Sequence, residues 1–464
     1  MSLFRSRVCR IHFVGIGGTG MSGIAEVLAA MGHAVSGSDL ASNDATRRLV
    51  SLGVAVHKGH AAANIAGADV VVRSSAVTED NPEIAAARKA RITVIPRAEM
   101  LAEIARLKYS VLVAGAHGKT TTTSLIAEIA SHAGLDPTIV IGGRLRSLGA
   151  NARLGQGEYL VAEADESDGS FLKLLPTVAV VTNIDREHLD HYQTLGNVLA
   201  AFTEFLNKVP FYGKAIVCLD CPHVQEIVPR IVKGTVTYGF SAQAEYRATD
   251  VRAEGGRLEF AAWRGRKRLG TFSVALTGRH NVLNSLASIA AAEELGVAPE
   301  VAAGALSAFK GIHRRYEIVG VEAGVTVVDD YGHHPTEIRA TLAGAREGAA
   351  GRVVVAFQPH RHTRTFHLFD EFVTAFNDAD VLLLADIYAA GERPIEGVSA
   401  RRLCGAIAEH GHGNVRYVGR REQIAAELAA VAKNGDTVLT LGAGDIWKTG
   451  RELLDLLRAG GRGE

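Results

Sequence analysis

A short glycine-rich stretch near position 115 carries the clearest chemical signal in this sequence. The segment VAGAHGKTTTTSL, residues 113–125, places G-K-T at 118–120 as in a G-x-x-x-x-G-K-[ST] phosphate-binding loop. The first glycine of that pattern would fall at Val113, whereas the chain has Gly115. Backbone N–H groups of such a loop bind phosphate oxygens, the lysine reaches the outer phosphates, and the threonine hydroxyl binds Mg²⁺. The pattern therefore predicts a shortened loop that binds ATP and Mg²⁺.

A second glycine-rich stretch, GIGGTGMSG, begins at Gly15 and has the G-x-G-x-x-G spacing of a dinucleotide-binding loop. It follows a strand pattern and precedes a helix pattern, and Asp39 comes later at about the 20-residue spacing at which an acid binds a ribose hydroxyl. The pattern specifies a nucleotide diphosphate, which NAD, FAD and a UDP-sugar all contain. A purely structural glycine turn is the alternative.

Further polar residues follow the predicted strands. The segment EADESDGS places Glu163, Asp165, Glu166 and Asp168 after a buried strand, where acids are costly unless they face water or a metal. Glu163 is the first choice for a metal ligand, and a solvated loop is the alternative for the other three, favoured for Asp168. Elsewhere, two arginines in PHRHTRT are three residues apart, so they share one face of a helical turn and can bind a carboxylate.

Composition excludes several classes of protein. The 464 residues include 50 Lys+Arg and 50 Asp+Glu, which argues against a nucleic-acid-binding protein. The C-x-x-C pair Cys218 and Cys221 has no second cysteine pair, so we expect reduced thiols and no zinc site. Glycines interrupt the N-terminal apolar run, and no apolar run reaches the ~18 residues of a membrane span. We expect a cytoplasmic protein that does not use a membrane and is a monomer or weak homodimer.

The order of elements predicts an α/β fold. Short Val/Ile/Leu runs alternate with helical patterns throughout, which favours parallel sheets. New sheets begin near Ile11, Tyr109 and Thr326, and residues 235–275 alternate like a small antiparallel sheet. We therefore predict three domains. These are a Rossmann-like domain at 1–107, a central P-loop ATPase-type domain at 108–312 and a Rossmann-like C-terminal domain at 313–464.

At GAHGKTTTTS the chain resembles the Mur ligase family, whose shortened phosphate loop has the form G-x-x-G-K-T. The resemblance continues through EADESDGSF, NIDREHLDHY, GRHNVLNSLA, HRRYEIVG, DDYGHHPTEI and PHRHTRT, and covers nearly the whole chain. It implies a UDP-sugar domain, an ATP domain and an amino-acid domain. The opening FVGIGGTGMSGIAEVL resembles the branch that uses ATP to join L-alanine to the lactyl carboxylate of UDP-N-acetylmuramate through an acyl phosphate, in peptidoglycan precursor synthesis.

The resemblance also implies a set of binding residues. For the UDP-sugar these are Gly15, Gly17, Gly18, Thr19, Gly20, Met21, Ser22, Asp39 and Ser75. For ATP they are Gly115, Ala116, His117, Gly118, Lys119, Thr120, Thr121, His280, Asn281, Asn284 and Asp330. For Mg²⁺ they are Thr120, Glu163 and His188, and for the amino acid His333, Arg361 and Arg364. The implied catalytic residues are Lys119, His188, Arg314 and His333, with Arg314 on the γ-phosphate and His333 as a candidate base.

Several alternatives stay open. The asparagines of GRHNVLNS also suit a helix cap, and the arginines of HRR also suit a basic linker. Many relatives carry a carbamylated lysine after the metal-binding histidine, but no lysine occurs from Arg186 to Asn207, so we expect none here. Rival functions are a recycling ligase that adds a tripeptide to the same UDP-sugar, a nicotinamide dehydrogenase and a regulatory ATP-binding protein. Selectivity among L-alanine, glycine and L-serine is also open.

Overall fold

The computed structural model describes residues 8–147, 150–254 and 256–460. They form three β-sheets flanked by helices, so the predicted α/β class is confirmed. The described residues divide into two compact units. The first contains the chain up to Asp250 together with Phe260–Phe272 and Leu283–Lys310, and the second contains Val251–Glu259, Ser273–Val282 and the chain from Gly311 onward.

The N-terminal sheet is fully parallel and has the strand order β3-β2-β1-β4-β5. Its strands are β1 (Arg10–Val14), β2 (Ala34–Asp39), β3 (Ala55–Lys58), β4 (Val70–Arg73) and β5 (Thr93–Pro96). Its helices are α1 (Thr19–Ala30), α2 (Asp44–Ser51), α3 (Pro82–Lys89) and α4 (Arg97–Ala105), with a 3₁₀ turn at Ala62–Ile65. The order reverses beside β1, where the first glycine loop lies, and this is where such sheets bind ligands.

The central sheet has ten strands in the order β15-β14-β13-β12-β11-β10-β6-β9-β7-β8. The strands are β6 (Tyr109–Ala114), β7 (Thr138–Leu145), β8 (Ala150–Arg153), β9 (Tyr159–Glu163), β10 (Val178–Val181), β11 (Lys214–Cys218), β12 (Thr235–Gly239), β13 (Tyr246–Glu254), β14 (Arg257–Arg264) and β15 (Lys267–Val274). The helices are α5 (Lys119–His132), α6 (Leu189–Tyr192), α7 (Leu195–Asn207), α8 (Pro222–Ile227), α9 (Arg279–Glu294) and α10 (Pro299–Ala308), with 3₁₀ turns at Ser170–Lys173 and Val228–Arg230. The strands predicted as a small antiparallel sheet continue this sheet at one end, because β13 pairs with β12.

The C-terminal sheet has the order β16-β17-β21-β18-β19-β20 and is parallel except for β16. Its strands are β16 (Glu317–Glu322), β17 (Val325–Asp330), β18 (Val353–Phe357), β19 (Val381–Ala385), β20 (Val415–Gly419) and β21 (Thr437–Leu441). Its helices are α11 (Pro335–Gly348), α12 (His362–His367), α13 (Phe369–Val373), α14 (Ala400–Glu409), α15 (Arg421–Val431) and α16 (Trp447–Gly460). The edge strand β16 carries two exposed apolar residues, Ile318 and Val321, so its sequence lacks the continuous apolar run of a buried strand.

A single apolar core connects the first two sheets of the first unit. It includes Phe13 and Ile24 of the N-terminal domain together with Leu112, Phe171 and Phe205 of the central domain. Helix α1 packs on β7 and β8, and a Cβ added at Gly23 would lie 3.1 Å from the Cβ of Ala152. Among the described helices, none combines the length and apolar character needed to cross a membrane.

A buried carboxylate lies behind the first glycine loop. Glu83, at the start of α3, has no exposed surface. Its Oε2 accepts a hydrogen bond from Ser38 Oγ at 2.5 Å and lies 3.4 Å from His12 Nε2, and its Oε1 accepts from Asn64 Nδ2 at 2.6 Å. Burial disfavours the charged form, but these hydrogen bonds and one from the Ala61 N–H together hold the pKa of Glu83 at about 2.

We predict that Glu83 makes the stability of the fold depend on pH. Because the folded pKa lies below the ordinary 4.5, the stability that Glu83 contributes is present above pH 4.5 and is lost as the pH falls towards 2. Urea unfolding at a series of pH values should therefore show a shallower acid dependence for Glu83→Gln than for the wild type. The control Glu103→Gln, at a partly exposed ion pair with Arg106, should keep the wild-type dependence. Identical slopes for wild type and Glu83→Gln would contradict the prediction.

Candidate active site

The predicted phosphate loop, residues 115–118, connects β6 to α5. Gly115 has φ 137° and Gly118 has φ 82°, backbone conformations that favour glycine. A Cβ on Gly118 would also come within 2.6 Å of Asn284 Oδ1. Val113, where the longer motif has glycine, is a buried residue of β6. The loop is short because the strand continues through Ala114 before the chain turns.

The end of β10 fixes the shape of this loop. The His117 N–H donates to Asn183 Oδ1 at 2.8 Å, and Asn183 Nδ2 donates to the His117 carbonyl at 2.9 Å. Thr182 Oγ1 donates to the same carbonyl at 2.6 Å, and the Ala116 N–H donates to the Asn183 carbonyl. Since two neighbouring parallel strands end at this edge, side chains from one strand can hold the loop that follows the other.

Lys119 lies at the start of α5 and joins the loop to an acid. Its Nζ donates to the Gly115 carbonyl at 2.6 Å and to Glu166 Oε1 at 2.7 Å. Burial favours the neutral amine, but the carboxylates of Glu166 and Asp165 outweigh it and raise the pKa of Lys119. The side chain is therefore a permanent cation beside the phosphate loop.

The acid cluster after β9 is more ordered than a solvated loop. Glu166 is only 2% exposed, and burial raises its pKa to about 7 against the opposing effect of Lys119. The solvated alternative is therefore wrong for Glu166. Ligand atoms of Glu166, Glu187 and His188 all lie within 4.8 Å of one another, and His188 Nε2 is 3.8 Å from Glu166 Oε1. His188 has φ 55°, a left-handed conformation that is uncommon outside glycine.

These side chains fit a divalent cation. Glu166 Oε2 is buried and has no hydrogen-bond partner among the described residues, a costly arrangement that a cation would relieve. Thr120 is buried at the first turn of α5, and Glu163 ends β9, where its Oε1 accepts from the Gly142 N–H at 2.7 Å. Carboxylate and hydroxyl oxygens are the ligands that Mg²⁺ prefers. Lys208, the first lysine after His188, pairs instead with Glu204.

The first glycine loop is fixed by the end of β2. The Gly15 and Ile16 N–H groups donate to the Ser38 carbonyl at 2.9 and 3.0 Å, and the Gly17 N–H donates to Asp39 Oδ2 at 2.8 Å. The acid predicted to bind a ribose thus also shapes the loop. Asp39 borders a cavity of about 250 Å³ that is also lined by Val50, Val56, His57 and Lys58.

The remaining residues predicted for the UDP-sugar have different environments. Met21 and Ser22 are buried in the first turns of α1, so their side chains face the protein and only their backbone can meet a diphosphate. Ser75 is exposed after β4, and Gly18 precedes the helix. Thr19 begins α1, but its side chain lies outside the described residues.

The residues predicted to contact adenine belong to one helix, α9, and fall in different units. In the first unit, Asn284 Oδ1 accepts from Thr122 Oγ1 at 3.2 Å, which places it against α5 and the phosphate loop. In the second unit, Asn281 is the third residue of α9 and its Nδ2 donates to the Thr277 carbonyl at 2.7 Å, so it is not the helix cap, and His280 lies beside Gly278. Thr121, buried in α5, completes the predicted ATP residues.

A cluster of imidazoles and guanidiniums follows β17 and β18 in the second unit. The rings of His333 and His360 are 5.8 Å apart, and His360 stacks on Tyr388 with an interplanar angle of 10°. Arg364 Nη1 donates to the His360 carbonyl at 3.4 Å. Arg361 has φ 71° and a half-exposed side chain, so a strained backbone presents its guanidinium to solvent. Burial, followed by the neighbouring cations, lowers the pKa of His360 to about 3.

The two arginines of HRR share one aromatic partner, but the guanidinium of Arg314 also makes hydrogen bonds that hold it in place. Arg314 Nε donates to Asp329 Oδ2 at 3.0 Å and its Nη2 donates to the Gly442 carbonyl at 2.6 Å, so its guanidinium is held within the C-terminal domain. The guanidiniums of both arginines lie over the Tyr331 ring, that of Arg314 at 5.0 Å and that of Arg315 at 5.3 Å from its centroid. These contacts favour Arg315 over Arg314 as the residue that is available to a ligand. Asp330, predicted near the ribose, is buried and accepts from the Gly332 and Tyr316 N–H groups, both at 2.7 Å.

The structure brings forward polar residues to which the sequence analysis assigned no binding or catalytic role. Asn183 shapes the phosphate loop, Glu187 joins the acid–histidine cluster, and His360 with Tyr388 lies beside the paired arginines. Asn183 and His360 closely follow the ends of strands and lie in polar segments. These two features of the sequence could have identified them as candidate functional residues. Tyr388 lies in a separate loop after β19, so only the folded chain brings it to His360.

Comparison with known proteins gives the family. The description "Mur ligase family, catalytic domain" matches residues 10–109, "Mur ligase middle domain" matches 113–292, and "Mur ligase, glutamate ligase domain" matches 314–444. The chain is 58% identical over 461 residues to a UDP-N-acetylmuramate–L-alanine ligase of Anaeromyxobacter dehalogenans, covering 98% of this chain and 100% of that protein. A Myxococcus xanthus protein of the same name is 56% identical over 98% of this chain and 97% of its own.

Solved structures agree with this placement. The UDP-N-acetylmuramate–alanine ligase of Thermotoga maritima superposes with a TM-score of 0.83 at 28% identity, covering 97% of this chain and 100% of that one. A murein peptide ligase of Psychrobacter arcticus superposes with a TM-score of 0.71 at 26% identity, covering 97% and 99%. The three matched regions together span most of the chain, and the chain therefore belongs to the Mur ligase family.

Proposed function

We propose that this chain is an ATP-dependent ligase that joins L-alanine to the lactyl carboxylate of UDP-N-acetylmuramate, a step of peptidoglycan precursor synthesis. The observation that carries the proposal is 58% identity over 98% of the chain to relatives named for that reaction. Two phosphate-type loops within one compact unit are consistent with a reaction between two nucleotides. Because both nucleotide substrates are charged metabolites, we assign the reaction to the cytoplasm.

The reaction needs two transfers. A lactyl carboxylate oxygen attacks the γ-phosphorus of ATP, ADP leaves, and an acyl phosphate forms. The amino group of L-alanine then attacks the acyl carbon, loses a proton and expels inorganic phosphate. Phosphorylation must come first, because a free carboxylate is a poor electrophile.

The first transfer brings two anions together. Lys119, a partly buried cation at the phosphate loop, is proposed to neutralise the outer phosphates, and Gly115 and Gly118 let the backbone approach them. Arg315 is a second candidate for a phosphate contact, because the guanidinium of Arg314 is held by Asp329 and two carbonyls. These groups act by fixed charge, which is most effective where water is excluded.

Mg²⁺ is proposed to be held by Thr120, Glu163, Glu166 and His188. When bound, the ion would neutralise charge on the transferring phosphoryl group. The contribution of the protein is to keep the donors in place. Glu166 is fixed by Lys119, and His188 by the left-handed turn that precedes α6.

L-Alanine is proposed to bind at the C-terminal cluster. Arg361 and Arg364 would hold its carboxylate, since two guanidiniums can bind both oxygens. His333 is the proposed base for the amine. His360 beside it is neutral at physiological pH, because burial and the nearby cations keep its pKa at about 3.

The reaction is tested by phosphate release from ATP with UDP-N-acetylmuramate and Mg²⁺. We expect release with L-alanine and a product that is heavier by one alanyl residue, and no release with the tripeptide of the recycling reaction. Release with the tripeptide but not with L-alanine would assign the chain to the recycling branch. If neither L-alanine nor the tripeptide supported phosphate release, that result would contradict the ligase proposal. Glycine and L-serine belong in the same series, because a pocket distinguishes one methyl group by only about 1–3 kcal/mol.

Replacement of Lys119 should slow the chemistry. We expect Lys119→Ala to lower kcat by at least about 10²–10³-fold, the usual effect of losing a positioned electrostatic group. The matched control is Lys267→Ala, at an exposed position of β15, which should keep wild-type kcat. Near-normal turnover by a folded Lys119→Ala protein would contradict the assignment of the phosphate loop.

Replacement of Glu166 should weaken metal binding. We expect Glu166→Gln to raise the half-saturating Mg²⁺ concentration by about 10-fold or more, because even supporting groups of metal sites change affinity by about 10–100-fold. Mn²⁺ binding followed by electron paramagnetic resonance gives a readout that does not depend on turnover. Glu204→Gln, at an exposed acid paired with Lys208, is the control. Equal Mn²⁺ affinity in Glu166→Gln and the wild type would remove Glu166 from the metal site.

A further inference from the structure

Arg97 is the first residue of α4, and its side chain reaches from the N-terminal domain to the acid segment of the central domain. Its Nη2 donates to Asp165 Oδ2 at 2.7 Å. The side chain is 25% exposed, so part of the guanidinium faces solvent. A guanidinium has five N–H donors in a planar fork, and Asp165 is the hydrogen-bond partner described for it here.

The same guanidinium rests on the first glycine loop. Gly20, the last glycine of G-x-G-x-x-G, lies in the first turn of α1 and has an ordinary helical backbone. The backbone conformation at this position therefore does not require glycine. A Cβ on Gly20 would overlap Arg97 Nη1 and lie 3.0 Å from its Cζ. The missing side chain thus provides the space that the guanidinium occupies.

Asp165 connects this position to the phosphate loop. It directly precedes Glu166, which binds Lys119 at the loop. The carboxylate of Asp165 pairs with the Arg97 guanidinium at 2.7 Å. Arg97 therefore lies along a chain of contacts that begins at the loop proposed for the diphosphate and ends at the loop proposed for ATP.

In the proposed reaction, the lactyl carboxylate of the substrate must approach a region that is rich in acidic side chains. Glu163, Asp165, Glu166 and Glu187 all belong to the segments that border this region, and each repels an incoming carboxylate. Lys119 bonds to Glu166 and to loop carbonyls, and it is the cation proposed for the outer phosphates of ATP. A further cation between the two loops would favour a substrate that carries both a diphosphate and a carboxylate, and Arg97 contacts both the first glycine loop and the acid segment.

We propose that Arg97 binds the lactyl carboxylate of UDP-N-acetylmuramate and thereby distinguishes this substrate from UDP-N-acetylglucosamine, which lacks the lactyl group. The inference rests on the proposed function. One N–H of the fork holds one carboxylate oxygen and leaves the other oxygen for attack on the phosphorus. Asp165 orients the guanidinium, and Gly20 admits it to the edge of the diphosphate loop.

The test is a comparison of equilibrium binding of three ligands, UDP-N-acetylmuramate, UDP-N-acetylglucosamine and UDP, with a non-hydrolysable ATP analogue present. We expect Arg97→Gln to weaken UDP-N-acetylmuramate by about 10–100-fold, as for the loss of a charged hydrogen bond, and the other two ligands by less than about 3-fold. Arg106→Gln, which removes an exposed guanidinium paired with Glu103 near the end of the same helix, should bind all three ligands like the wild type.

A second variant separates recognition from simple domain packing. Asp165→Asn removes the negative charge but keeps an oxygen that can accept from Arg97 and orient it, so this variant should retain the preference for UDP-N-acetylmuramate. The inference would be overturned if Arg97→Gln lost affinity equally for all three ligands. It would also be overturned if Arg97→Gln and Asp165→Asn lost the preference for UDP-N-acetylmuramate to the same extent. An unchanged preference in Arg97→Gln would overturn it as well. If the wild type releases no phosphate with UDP-N-acetylmuramate and L-alanine, the proposed function fails. If the wild type is active and Arg97→Gln keeps the wild-type preference among the three ligands, only this inference fails.

Discussion

The buried ion pair between Lys119 and Glu166 is the contact around which the polar residues of the central domain are arranged. A lysine at a phosphate loop must remain charged although it is nearly enclosed, and a carboxylate 2.7 Å away provides the compensating charge. That carboxylate is itself destabilised by burial, which raises its pKa to about 7 and leaves one oxygen without a partner. The pair thus holds the lysine in place and leaves one buried carboxylate oxygen for a further cation.

Left-handed backbone conformations occur at several of the positions proposed to bind ligands, as they do elsewhere in the chain. Gly115 and Gly118 take left-handed conformations at the phosphate loop, as expected for glycine. His188 and Arg361 take them without being glycine, at the acid–histidine cluster and at the paired arginines. Such conformations persist only where surrounding contacts fix them. Gly20 differs, because its backbone is helical and its small size serves a neighbouring guanidinium.

The common core of the first unit gives its two loops a fixed relation. The N-terminal and central domains share apolar contacts, α1 packs on β7 and β8, and Arg97 bonds to Asp165. The loop proposed for one phosphorylated ligand is thereby positioned with respect to the loop proposed for the other. The buried Glu83 network supports the first loop from behind, since Ser38 donates to Glu83 through its hydroxyl and accepts from Gly15 and Ile16 through its carbonyl.

Much of the fold could be predicted from local pattern. Continuous apolar runs identified the central strands of each sheet, because strands buried on both faces leave no room for polar residues. The half-exposed edge strand β16 carried no such run and was missed. The placement of the second loop was also a local property, since G-K-T after a strand requires a turn and a helix start.

What the sequence alone determined was the presence of two glycine-rich loops between strand and helix, the fold class and the family, because motifs and buried strands are properties of neighbouring residues. What only the tertiary structure decided was which polar groups meet. Glu166 could not be separated from its acidic neighbours until its burial beside Lys119 was known. Arg97 gave no signal in the chain, since its partners Gly20 and Asp165 are remote in sequence. Long-range pairs of this kind depend on how sheets and helices pack, and packing is fixed by the whole chain.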